Sequence, residues 1–141
     1  MKRRIVVTGL GLVCPIGNTV KDSWDNALAG KSGIAPIEAF DASEFSVRIG
    51  GTIKDLEVTN YITGKKARRM DPFIHYGLAA AIQAMEDSGL EVTDENARRI
   101  GAAIGSGIGG LPGIEKGYQS FLDGGPRKVS PFFVPSNIIN M

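Results

Sequence analysis

One cysteine and one histidine are all that 141 residues offer to the usual nucleophilic and metal chemistries. A single cysteine excludes an internal disulfide framework, so a reducing compartment fits. His75 has no cysteine or carboxylate at ligand spacing, which leaves no metal-binding cluster. A P-loop is also missing. No apolar run approaches the ~20 residues that a membrane span needs. Excess charge is absent too. The formal net charge of +1 gives no global pull toward nucleic acid or an anionic membrane. Met1-Lys2-Arg3-Arg4 opens like a secretory leader, but Thr8, Gly9 and Gly11 break the apolar stretch behind it. The segment therefore reads as the first strand of a cytoplasmic domain.

Nucleophilic catalysis needs a nucleophile and a base that activates it. Cys14 lies in an apolar loop before Pro15, with no helix N-terminus directly after it to favour a thiolate. His75 lies in the first turn of an apolar helix, and nothing in the sequence brings the two together. Read from residues alone, the chain is an α/β half-domain with a glycine-lined pocket edge.

Glycine is the residue in surplus. Nineteen glycines are about twice the usual share, which predicts tight turns and close backbone approaches. The run Gly105-Ser106-Gly107-Ile108-Gly109-Gly110 fits G-x-G-x-x-G. The short apolar stretch of Ile and Ala before it reads as a buried strand, and residues 114–122 read as a helix. Strand, glycine turn and helix is the context of a dinucleotide-binding turn. That reading also wants an acidic residue roughly 20 positions on, at the end of a second strand. Here the chain has Gly124-Gly125-Pro126-Arg127-Lys128 instead. Pro112-Gly113 is further expected to hold the helix start away from the glycines. Two other readings stand beside the nucleotide one: a sharp turn at a strand end, and the wall of an apolar pocket with Ile108 as its one sizeable side chain.

Taken in order, residues 4–8 (RIVVT) read as a buried strand. Thr19-x-x-Asp22 reads as a capping-box start, with a helix over residues 20–29 that buries Trp24, Ala27 and Leu28 and stops at Gly30. Residues 34–55 are irregular, with an edge strand over residues 47–53 bulged at Gly50-Gly51. Lys65-Lys66-Ala67-Arg68-Arg69 is either a solvated helix face or a patch for an acidic partner. Asp71-Pro72 opens a helix that runs to Ser88 and ends at Gly89-Leu90. Its apolar circumference predicts burial against both sheet and helix. Thr93 caps a short helix ending near Arg98-Arg99. Residues 130–136 (SPFFVPS) form a rigid apolar loop. Ser136 then caps a helix over residues 137–141, where the chain stops in mid-pattern.

Several segments carry a resemblance: MKRRIVVTGLGLVCPIGN, GKSGI at residues 30–34, ARRMDPFIHYGLAAA at residues 67–81, IGAAIGSGIGGL, and GGPRKVSPFFVPSNIINM. They resemble the start of the bacterial β-ketoacyl-ACP synthases of the elongating type. The resemblance implies a homodimeric thiolase fold of two α/β halves in five α-β-α-β-α layers. Residues 1–141 would form part of its N-terminal half, truncated before the nucleophile. It implies fatty-acid elongation by decarboxylative Claisen condensation of an acyl-enzyme with malonyl-ACP, without a cofactor or metal. The nucleophilic cysteine and two catalytic histidines would lie beyond position 141, so residues 1–141 alone would be inactive. Cys14 and His75 inherit no role. Ile108 matches a residue that opens or closes the acyl pocket, and Phe133 a pocket residue contributed across the dimer interface. Lys65, Arg68 and Arg69 match positions that dock the acidic acyl carrier protein, and Arg127 and Lys128 extend that face. The alternatives are a dinucleotide-binding oxidoreductase module, and a non-catalytic subunit that binds carrier protein.

Overall fold

The structure is a computed structural model that describes residues 2–138. It divides into two units, residues 1–57 with 79–89, and residues 58–78 with 90–141.

The first unit holds helix α1 (Val20–Leu28) and strands β1 (Ile34–Pro36) and β2 (Ile49–Gly51). It also takes in the later part of helix α3 (Pro72–Ser88). Helix α1 starts where the sequence places it. The Thr19 hydroxyl accepts from the Asp22 N–H at 3.1 Å and donates to the Asp22 carboxylate at 2.8 Å. Aspartate lacks the reach to return to the Thr19 backbone, so the box closes side chain to side chain. At the other end Gly30 takes φ 67°, its N–H donates to the Ala27 carbonyl, and the Lys31 N–H donates to that of Asn26. This pair of bonds is the Schellman arrangement, and it satisfies carbonyls that the helix would otherwise leave open.

The buried face of α1 is not the expected one. Trp24 is 63% exposed and Leu28 70%, and Ala27 is exposed too, while Ser23 is buried at 3%. The reason is a tight turn over residues 14–17. Cys14 and Gly17 exchange backbone hydrogen bonds of 2.9 and 3.0 Å. The turn packs so closely that a Cβ on Gly17 would meet Ser23. Ser23 donates to the Thr19 carbonyl at 2.7 Å and Asn26 to the Ile16 carbonyl at 2.5 Å. A polar stripe held by hydrogen bonds therefore faces inward, and apolar periodicity does not register it.

The expected strand at residues 4–8 is not formed. Ile5 is 94% exposed and no ladder joins it to the two-stranded sheet. β-Branched residues favour a strand, but only a hydrogen-bonded neighbour makes one. Strand β2 falls inside the expected segment. It pairs antiparallel with β1, one residue to one: Ile34 with Gly51, Ala35 with Gly50, Pro36 with Ile49. The bulge expected at Gly50-Gly51 is thus absent, and part of the stretch read as irregular is β1. Beyond residue 8 the chain lies along α3. Leu10 N–H donates to Asp87 at 2.8 Å and Leu12 N–H to Gln83 at 3.2 Å. Gly9 and Gly11 allow this approach, since a Cβ at either would strike the helix backbone at Ala84 or Ala80.

The second unit holds helix α2 (Gly64–Ala67), the first part of α3, helix α4 (Leu111–Gly124) and helix α5 (Phe133–Asn137). Single 3-10 turns lie at Val58–Asn60, Ala97–Arg99 and Pro126–Lys128. Helix α3 has the expected bounds and ends at Gly89 with φ 60°. Ile74 and Ala79 are buried, but Met85 is 40% exposed, so its cover is incomplete. Only the turn at Ala97–Arg99 forms of the helix expected after Thr93. Residues 100–104 form no strand and are largely exposed. Helix α4 begins directly after Gly110, with Pro112 in its first turn. Proline there removes only an N–H that has no helical partner, so Pro112-Gly113 does not displace the helix start. In the expected SPFFVPS loop, α5 begins at Phe133. Ser136 is therefore a helical residue and not a cap. Asn137 ends α5, Ile138 is extended, and residues 139–141 of the expected final helix lie outside the described residues.

Candidate functional site

The second unit carries a cleft of about 590 Å³. Arg68 and Arg69 reach it from the end of α2, Lys128 from the 3-10 turn, and Lys116 from α4; Asp71 is the one carboxylate on its lining. Phe132 and Phe133 supply aromatic surface. The Arg69 guanidinium sits over the Phe132 ring, 4.5 Å from its centroid. Such a stack holds a cation over an apolar surface by attraction to the ring quadrupole.

Asp71 ties this unit together. Its N–H donates to the Ser136 carbonyl at 3.2 Å, and its carboxylate accepts from the Gly113 N–H at 3.2 Å. It also accepts a long bond, 3.5 Å, from the Phe73 N–H at the start of α3. One residue, through its backbone and its side chain, thereby links α3, α4 and α5. His75, one turn into α3, has Nε2 at 2.9 Å from the Ala67 carbonyl, where it holds the end of α2.

The face of α4 toward the cleft is small for a reason. Gly113, Lys116, Gly117 and Ser120 recur at helical spacing and all line it. A Cβ on Gly117 would strike the Phe133 ring, one on Gly113 the Asn137 amide, and one on Gly124 the Lys128 stem. These glycines let α5 and the Lys128 turn lie against the helix. The cost is an Asn137 Oδ1 left buried without a hydrogen-bond partner, although its Nδ2 donates to the Phe133 carbonyl at 2.5 Å.

Of the residues singled out in sequence, Arg68, Arg69, Lys128 and Phe133 come together on this cleft, whereas Lys65, Arg127 and Ile108 are not among its lining. Ile108 projects from the glycine turn, 76% exposed. The turn itself closes on α3 and α5. A Cβ at Gly109 would meet the Phe73 ring and one at Gly110 would meet Asn137. The strand that a dinucleotide turn requires is not present at residues 100–104.

Cys14, in the first unit, places its Sγ 3.3 Å from the Ser23 hydroxyl. Hydrogen bonding by Ser23 holds the thiol below its ordinary pKa, against a smaller opposing effect of burial and with help from the Ile16 and Gly17 backbone. The Ser23 hydroxyl donates to the Thr19 carbonyl, and its oxygen accepts from the Cys14 thiol. No imidazole, amine or carboxylate hydrogen-bonds this thiol among the described residues. No group of three His, Cys, Asp or Glu among them could hold a metal ion, and no helix among them is long and apolar enough to cross a membrane.

Sequence reasoning missed Lys116 and Asp71 as parts of this cleft, and of the aromatic pair it singled out Phe133 but gave Phe132 no role of its own. The signal for Lys116 was its place at helical spacing between Gly113 and Ser120. For Phe132 it was adjacency to Phe133. Nothing local marked Asp71 as more than a helix cap.

The sequence matches the family described as "Beta-ketoacyl synthase, N-terminal domain" over residues 2–141. It is 61% identical to the 3-oxoacyl-[acyl-carrier-protein] synthase 2 of Vibrio harveyi across 99% of this chain and 34% of that protein. The chain thus spans about a third of the length of this curated relative. The fold resembles the ishigamide ketosynthase/chain length factor with a TM-score of 0.75 at 28% identity, over 95% of this chain and 34% of that one. It also resembles a chain in a complex of a type II PKS acyl-carrier protein with its ketosynthase bound to the hexaketide. There the TM-score is 0.74 at 27% identity, over 98% of this chain and 37% of that one. The fold is therefore α/β, part of the N-terminal half of a thiolase-like ketosynthase.

Proposed function

Since the chain belongs to the β-ketoacyl synthase family, matching its N-terminal domain, we propose that it is the N-terminal segment of an elongating 3-oxoacyl-[acyl-carrier-protein] synthase. In the whole protein, an acyl chain passes from a carrier thioester to an enzyme cysteine, releasing the carrier thiol. The malonyl thioester then loses carbon dioxide, and its carbon attacks the acyl-enzyme carbonyl. A carbon–carbon bond forms as the bond to the cysteine breaks. The cysteine and its two histidines come from residues beyond 141, in a cytoplasmic homodimer. Residues 1–141 contribute Lys65, Arg68, Arg69, Arg127 and Lys128 to carrier docking. They contribute Ile108 and Phe133 to the acyl pocket, with Phe133 acting across the dimer.

The observation that carries this reading is the cleft in which Arg68, Arg69 and Lys128 meet beside aromatic surface. Three convergent cations suit an acidic protein better than a neutral small molecule. The test is Arg68→Glu with Arg69→Glu in the full-length enzyme. At low salt the KM for acyl carrier substrates should rise by roughly tenfold, since exposed pairs contribute about 0.2–1 kcal/mol each and reversal makes them repulsive. Acyl-pantetheine, which lacks the acidic protein, should react as before. An unchanged KM at low salt would refute the docking assignment.

A further inference from the structure

We propose that Lys116 is a further docking and specificity-determining residue, a cation on a separate helix facing the same acidic partner across the cleft. The inference rests on the carrier-docking reading and extends it to an element that reading did not include. Lys116 is exposed and lines the cleft together with Arg68, Arg69 and Lys128. It lies on α4 beside Gly113, Gly117 and Ser120, which line the same cleft. Its backbone carbonyl accepts from the Ser120 hydroxyl at 2.9 Å. Its ammonium makes no ion pair with a carboxylate among the described residues. The charge is therefore available to a partner.

The placement also argues for what that partner is. Arg68 and Arg69 stand at the end of α2, Lys128 on the turn after α4, and Lys116 within α4, so three elements of the second unit contribute. Four cations with a single carboxylate on the lining make the cleft positive across its width. They suit several carboxylates on a folded acidic surface. The two arginine forks offer fixed geometry, and the one over Phe132 is held by the ring. Lys116 offers a flexible, strongly hydrated point charge that tunes affinity with little demand on geometry. Its contribution should act on association and fade with salt.

The experiment uses the full-length enzyme with an acyl carrier protein bearing a medium-length acyl chain, and with acyl-pantetheine. Lys116→Glu should raise the KM for the carrier substrate roughly three- to tenfold at low salt with kcat unchanged. The effect should collapse at high salt, Lys116→Arg should retain wild-type behaviour, and Lys31→Glu, remote in sequence and outside the cleft lining, should do nothing. If Arg68→Glu and Arg69→Glu raise KM while Lys116→Glu does not, the docking reading stands and the role of Lys116 is overturned. If none of the three raises it, both fall. If Lys116→Glu impairs acyl-pantetheine equally, or Lys31→Glu has the same effect, then Lys116 acts through folding or overall charge and the proposal is wrong.

Discussion

Ile108 is a large apolar residue that the fold leaves mostly uncovered. It stands 76% exposed, and its glycine neighbours Gly107 and Gly109 add no side chain beside it. A large apolar side chain at the tip of such a turn does not stabilise the turn, and its substitution should move stability by no more than about 0.5 kcal/mol. In the proposed enzyme the same side chain borders the acyl path. Ile108→Phe should then spare short acyl substrates and slow long ones, because only a long chain would have to share that path with the larger ring, at a cost on the order of 1–3 kcal/mol. Rates measured across a chain-length series decide the matter. A uniform loss, together with a lowered melting temperature, would make Ile108 a packing residue. Cys14 is the opposite case, with contacts but no reagent. Ser23 draws its pKa down, yet no base stands beside it among the described residues.

At the scale of the element, α4 is organised by what its inner face omits. Gly113 and Gly117 lie one helical turn apart, and Gly117 lies under the Phe133 ring. Glycine within a helix costs about 1 kcal/mol relative to alanine, so its presence calls for a packing reason. Close approach of α5 supplies one. Gly117→Val should destabilise the enzyme by about 1–3 kcal/mol, because the added atoms meet the Phe133 ring and force it or the helix to shift. Phe133→Leu should relieve part of that loss, so the double variant should be more stable than additivity predicts. Strictly additive melting shifts would show that Phe133 does not sit on Gly117 in solution.

For the whole chain, the decisive quantity is apolar surface. Among the described residues only Ala42, Ile74 and Ala79 are buried apolar side chains, while Ile5, Val6, Val7, Trp24, Leu28, Tyr118 and Leu122 are all more than half exposed. Surfaces of this kind associate. Residues 1–141 expressed alone should self-associate and bind a hydrophobic dye, and should not catalyse condensation, since the only thiol has no activating base. Sedimentation and incubation with labelled acyl carrier protein test both parts. A monomer that fails to bind dye and acquires label at Cys14 would contradict the packing and the chemical argument together.

The limits of α1 and α3 were legible in the sequence because their causes are local. Thr19 with Asp22, Gly30, and the pair Asp71 and Gly89 act within a turn of the positions they define, and α1 and α3 end where those residues place them. The candidate site was half legible. The basic run and the aromatic pair could be read, but not that Arg68, Arg69, Lys128 and Phe132 share one cleft with Lys116. That meeting depends on Asp71 joining segments 42 residues apart through Gly113. Strands were the least legible. RIVVT has the composition of one, yet IAP and IGG are the segments that pair. The same holds for α1, whose inner face is chosen by the turn at residues 14–17 and not by its own apolar stripe. Caps and stops are decided by neighbours in sequence. Pairing, burial and the gathering of charge are decided by neighbours in space, and only the tertiary structure supplies those.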